Sequence, residues 1–126
     1  MAWLKDQAPA AGRVRALLDS AERRERRLYM NVINLGEVYY ISAKLRNLEY
    51  AERVVETLRS RLIVLSASDE LVFQAAGLKA RHALSYADAF AAVTAISRSI
   101  PLVTGDPELK VLGDRERGLE LEWIAA

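Results

Sequence analysis

The chain has no cysteine and one histidine, His82, among its 126 residues. The first absence excludes disulfides, cysteine nucleophiles and thiolate metal centres, and it fits a reducing, cytoplasmic setting. The second excludes a multi-histidine metal site. Any metal chemistry must therefore rest mainly on oxygen ligands, which favours Mg²⁺ or Mn²⁺ over zinc. The N-terminus has no long apolar run and no segment is long enough to span a bilayer, so no membrane association is expected. The net charge of +1 excludes a polycation.

What is present is a mixed globular composition, 52% apolar and 28% charged. This length fits one compact domain that buries a core without disulfides or a structural metal. The basic residues are 14 arginines and only 4 lysines. The planar arginine fork suits phosphate and carboxylate recognition, a weak pointer to nucleic acid or an acidic partner.

Helix and strand patterns alternate. Ala2 to Lys5 reads as the tail of a short helix. Pro9 to about Arg24 reads as a second, with Val14, Leu17, Leu18 and Ala21 on one face. The mixed-sign run from Glu22 to Arg27 reads as a solvated face. Leu28–Ile33 has strand character, and Asn34–Leu45 and Leu48–Ser60 are helical. Leu62–Leu65 is a short apolar strand, and Ser68–Arg81 is a helix with acidic residues in its first turn. Ser85–Arg98 is the most apolar helix. Ile100–Thr104 is a strand, Pro107–Leu112 a short helix and Leu119–Ile124 a last strand. Apolar strands separated by helices imply an α/β fold whose parallel sheet is covered on both faces.

Three carboxylates share one kind of address. Glu37 follows the strand ending at Ile33, Asp88 lies in the first turn of its helix, and Asp106 follows the strand ending at Thr104. Segments beyond the carboxyl ends of strands converge on one crevice in an open α/β sheet. The competing explanation is helix capping. Asn34-x-x-Glu37 and Ser85-x-x-Asp88 both have capping-box spacing, and Asp106-Pro107 has the form of an N-cap followed by proline at the first helical position. Asp88 strains that explanation most. Between Tyr86 and Ile96 the polar groups are its carboxylate, Thr94 and the tyrosine hydroxyl, and a helix apolar nearly all round is buried. A buried carboxylate costs several kcal/mol unless a cation or strong hydrogen bonds compensate it.

The run from Leu84 to Ala89, followed after one helix by Pro101-Leu102-Val103-Thr104-Gly105-Asp106, resembles the C-terminal half of a PIN domain. Asn34-x-x-Glu37-Val38 after a strand resembles that family's helix-borne glutamate. The resemblance covers almost the whole chain and is nearest to the single-domain VapC toxin ribonucleases of type II toxin–antitoxin systems. It implies a three-layer α/β/α fold and a cytoplasmic, Mg²⁺- or Mn²⁺-dependent endoribonuclease that leaves a 3′-hydroxyl and a 5′-phosphate. Glu37, Asp88 and Asp106 match the catalytic metal ligands, with Thr104 and Asn34 at supporting positions. The implied partners are RNA, a VapB-type antitoxin whose tail can place an arginine among the carboxylates, and a second copy of the chain or a toxin–antitoxin hetero-oligomer.

The family begins with an apolar strand ending in aspartate. Here Met1-Ala2-Trp3-Leu4-Lys5-Asp6 resembles the end of the helix after it. The expectation is thus one PIN-like domain over 1–126 lacking the first, central strand and the first catalytic aspartate. Such a chain could retain binding without cleavage, as a non-catalytic RNA- or antitoxin-binding module. A third reading is an unrelated α/β domain whose acids are only caps and lie far apart.

Other residues attract simpler readings. His82, near a helix end, suits the helix dipole. Trp3, Leu4, Tyr39, Tyr40 and Tyr50 suit an interface or the core equally. Arg13, Arg15, Arg46, Lys79 and Arg81 are RNA-contact candidates that read more simply as solvated charges.

Overall fold

Side-chain caps set most of the helix starts. The computed structural model describes residues 10–125, so the short helix expected over Ala2–Lys5 lies outside the described residues. Ser68, Ser85 and Asp106 each accept a backbone N–H from the first turn of the helix that follows, as their sequence positions predict. Asn47 does the same for the helix beginning at Leu48.

The chain divides into two compact units, one through Ser66 and one from Ala67. In the first, helix α1 (Ala10–Glu22) is followed by strand β1 (Tyr29–Asn31), helices α2 (Val32–Leu45) and α3 (Leu48–Arg61), and strand β2 (Ile63–Leu65). β1 and β2 pair in parallel, Asn31 opposite Leu65, and α2 packs on α3. Leu18, Leu35, Val38 and Leu58 form the core, bordered by Val14, Met30, Val55 and Val64.

One boundary departs from the sequence expectation. Asn34 is not a cap. The fully buried Asn31 ends β1 and caps α2 instead, its Oδ1 accepting the Ile33 N–H at 2.9 Å. The helix therefore starts at Val32, and the expected strand shortens by two residues at that end. A buried asparagine stabilises the strand-to-helix turn by satisfying an orphan donor, which outweighs the β-branched preference of Val32 and Ile33.

In the second unit, helices α4 (Asp69–Arg81) and α5 (Tyr86–Arg98) precede strand β3 (Leu102–Thr104), helix α6 (Pro107–Arg115) and strand β4 (Leu121–Trp123). β3 and β4 are parallel, Thr104 opposite Trp123. Leu78, Leu84, Phe90, Val93, Leu109, Leu112 and Leu119 fill the core. Both sheets thus have the expected parallel sense. Among the described residues they are separate two-stranded pairs.

Helices α1 and α5 end alike. Glu25 N–H donates to the Ser20 carbonyl and Arg24 N–H to Ala21. Ile100 N–H donates to Ala95 and Ser99 N–H to Ile96. Arg24 and Ser99 sit at φ of 60° and 54°, so each is the left-handed residue of a Schellman motif. Glycine is the usual occupant; even without it the sequence reading ends α5 at Arg98, as the structure does, and α1 at about Arg24, where the structure has Glu22.

The ends of α4 and α6 are joined by charge. The His82 ring Nε2 lies 2.7 Å from the Glu116 carboxylate, and the Arg81 guanidinium 3.3 Å from it. The histidine reading as a structural residue at a helix end fits this placement. The His82 hydrogen bond, opposed by burial and assisted by Arg81, holds the Glu116 carboxyl below its ordinary value. A depressed carboxylate contributes stability that is present above its unfolded pKa and is lost as pH falls through the folded one. The urea midpoint of the parent is therefore expected to fall more steeply below the ordinary glutamate range than that of Glu116→Gln. Parallel acid limbs in the two proteins would contradict the pairing.

Candidate metal centre

Asp88 and Asp106, about eighteen positions apart in the chain, meet in space. Asp88 lies in the first turn of α5 and Asp106 caps α6. One carboxylate oxygen from each, together with one from Glu108, lie within 4.8 Å of one another. The two aspartates are half-buried and Glu108 is exposed.

Local bonds fix this arrangement. Ser85 Oγ accepts the Asp88 N–H at 3.1 Å. Asp106 Oδ1 accepts the Glu108 N–H at 2.9 Å, and the buried Thr104 hydroxyl accepts the Asp106 N–H at 3.0 Å. Gly105 permits the approach of the chain leaving β4: a Cβ there would come within 3.1 Å of the Ala125 Cβ. The caps are therefore real, yet these acids are gathered, which caps alone do not require.

The gathering has an electrostatic cost. Two unit charges 4 Å apart repel by about 4 kcal/mol at an effective dielectric of ~20. Each helix N-terminus returns only about 0.3–1 kcal/mol. Three hard carboxylate oxygens at this spacing fit a divalent cation such as Mg²⁺ or Mn²⁺, which would remove the imbalance.

Glu37 lies half-buried on α2 in the first unit, and Asn34 lies one turn before it on the same helix. Glu108 was missed by sequence reasoning. The signal was an Asp-x-Glu pair opening a helix, where the cap and the second helical residue both stand in the first turn. Of the basic residues weighed as RNA contacts, Arg46, Lys79 and Arg81 have partners within the chain. Arg46 stacks over the Tyr50 ring, Lys79 donates to the Leu84 carbonyl, and Arg81 pairs with Glu116.

A family model for the PIN domain matches residues 1–114. The chain belongs to the PIN domain family. Among solved structures it is similar to VapBC2 from Rickettsia felis, bound to a DNA fragment from their promoter, with a TM-score of 0.68 and 22% identity over 96% of this chain and 89% of that one. It is also similar to VapBC-1 from nontypeable Haemophilus influenzae, with a TM-score of 0.62 and 22% identity over 86% and 84% of the two chains. At this identity the likeness establishes a shared fold, and it places the α/β elements described above in a PIN-like architecture. Curated proteins yield no match to the chain. No helix among the described residues of this PIN domain is long and apolar enough to cross a membrane.

Proposed function

We propose that this chain is a metal-dependent endoribonuclease, the toxin of a VapBC-type toxin–antitoxin pair, acting as one PIN-like domain over residues 1–126. The observation that carries the reading is the convergence of Asp88, Asp106 and Glu108 within 4.8 Å at the starts of two helices, in a chain matched to the PIN domain. Glu37, Asp88 and Asp106 are assigned as ligands of Mg²⁺ or Mn²⁺, and Glu108 joins them.

When bound, a divalent cation supplies Lewis-acid stabilisation of the phosphodiester oxygens and eases deprotonation of the attacking water. The protein supplies position. Asp106 is held at its backbone by the Thr104 hydroxyl and at one carboxylate oxygen by the Glu108 N–H, which aims the carboxylate without rotamer search. The Asp88 N–H is held by the Ser85 cap, on a helix that buries Ala89, Phe90, Ala92, Val93, Thr94 and Ala95. Glu108 is the exposed member of the group. Asn34 is assigned a supporting place beside Glu37 on α2. The partners in this reading are RNA, a VapB-type antitoxin, and a second toxin copy or toxin–antitoxin assembly, all in the cytoplasm.

The test is incubation of the purified chain with a single-stranded RNA in Mg²⁺, in Mn²⁺ and in EDTA, beside calorimetric titration with Mn²⁺. Cleavage in either ion and none in EDTA is the expected result. Mn²⁺ binding without cleavage reduces the chain to a PIN-like binding module, and no Mn²⁺ binding removes the metal centre altogether.

A further inference from the structure

Helix α6 runs antiparallel over β4. Lys110 lies over Trp123, its Nζ 4.9 Å from the ring centroid. Three residues on, Gly113 faces Leu121, where an added Cβ would come within 3.0 Å of Leu121 Cδ1. Moving forward along the helix thus moves backward along the strand. The turn before Lys110, which holds Asp106 and Glu108, therefore extends past the carboxyl end of β4. Trp123, opposite Thr104 in the sheet, stands at that same end. Lys110 follows Asp106 by one helical turn, about 6 Å of rise, and its N–H donates to the Asp106 carbonyl.

An exposed lysine and a half-buried tryptophan accordingly adjoin the acid cluster. Lys110 makes no ion pair among the described residues. Its ammonium rests on the ring, a hold worth only about 0.5–1 kcal/mol at exposed sites, so a better partner can displace it. A nucleobase is such a partner for the ring, since stacking on aromatics is how unpaired bases are taken. A phosphate is such a partner for the released ammonium.

We propose that Lys110 and Trp123 form a nucleotide subsite for single-stranded RNA beside the acid cluster, Trp123 stacking one base and Lys110 contacting a phosphate. The assignment rests on the reading of that cluster as an RNA-cleaving centre.

The test uses a fluorescein-labelled single-stranded RNA octamer and the Asp88→Asn chain, which is expected not to cleave it. Trp123→Leu is expected to raise Kd by about 5- to 100-fold, with Trp123→Phe retaining most of the affinity. Lys110→Met should reduce the magnitude of the slope of log K against log salt by about 0.7. With Trp3→Phe added, unlabelled octamer should quench the Trp123 emission. Unchanged affinity in Trp123→Leu together with an unchanged salt slope in Lys110→Met overturns the subsite, as does absence of octamer binding. The two readings fail separately. Metal-dependent cleavage by the parent with kcat/KM unaltered by either substitution keeps the nuclease and removes the subsite. Octamer binding that depends on Lys110 and Trp123 in a chain that neither binds Mn²⁺ nor cleaves does the reverse.

Discussion

Asp106→Asn is expected to lower metal-dependent RNA cleavage by at least about 100-fold, since even partners one step removed from a metal typically cost 10–100-fold when lost, while the unfolding midpoint stays within experimental error. The combination separates two roles of one side chain. Asn is as good an N-cap as Asp, so the bond from Glu108 N–H to Oδ1 survives and α6 keeps its start. What disappears is the negative charge. Asp88→Asn should behave alike in activity and should leave stability equal or slightly raised, because one like charge leaves a group whose oxygens lie within 4.8 Å. Asp106→Ala, by contrast, should also lose about 1 kcal/mol of stability with the cap. Rates from quenched-flow or gel assays and midpoints from urea titration decide the matter. If both Asn variants cleave like the parent, the acids are caps and nothing more.

Phe90→Ala should destabilise the fold by about 3–5 kcal/mol, a large share of the 5–15 kcal/mol typical of a whole domain. Phe90 is 5% exposed in the core of the second unit. Its ring stacks on Tyr86 with centroids 5.2 Å apart. Its neighbours on α5, Ala89, Ala92, Val93 and Ala95, are also buried, and their small side chains cannot close over the space it leaves. Phe90→Leu, which refills most of the volume, should cost much less. Both follow from urea unfolding by circular dichroism. A loss below 1 kcal/mol for Phe90→Ala would mean that α5 is not packed as described. Asp88 lies two residues before this anchor on the same helix, so the packing that resists Phe90→Ala also holds the backbone that carries the carboxylate.

The sequence was most legible where side chains act on their own backbone. Ser68, Ser85 and Asp106 announce helix starts, and the structure uses all three. Parallel pairing was legible too, because Ile63-Val64-Leu65 and Leu102-Val103 are apolar without alternation. The start of α2 was not. Asn31 and Asn34 both have the chemistry of a cap, and only burial, a tertiary property, selects Asn31. The ends of α1 and α5 were legible to within two residues, but the left-handed conformation of Arg24 and Ser99 was not, because composition does not advertise it. At the acid cluster, Asp88 stood out as a charge on an apolar helix. Glu108 did not, because an acid in a first turn is ordinary until a second helix start is brought against it.

Each parallel ladder closes within its own half of the chain: β1 meets β2 through the α2–α3 pair, and β3 meets β4 through α6 alone. Parallel strands are usually slow to find each other, because a long crossover must close before any contact rewards it. Here both crossovers are helical and self-contained. Every member of the Leu18–Leu58 cluster precedes Ser66, so all the chain that cluster needs leaves the ribosome before the stretch carrying Asp88 and Asp106. The acidic group belongs to the half of the chain that is synthesised last.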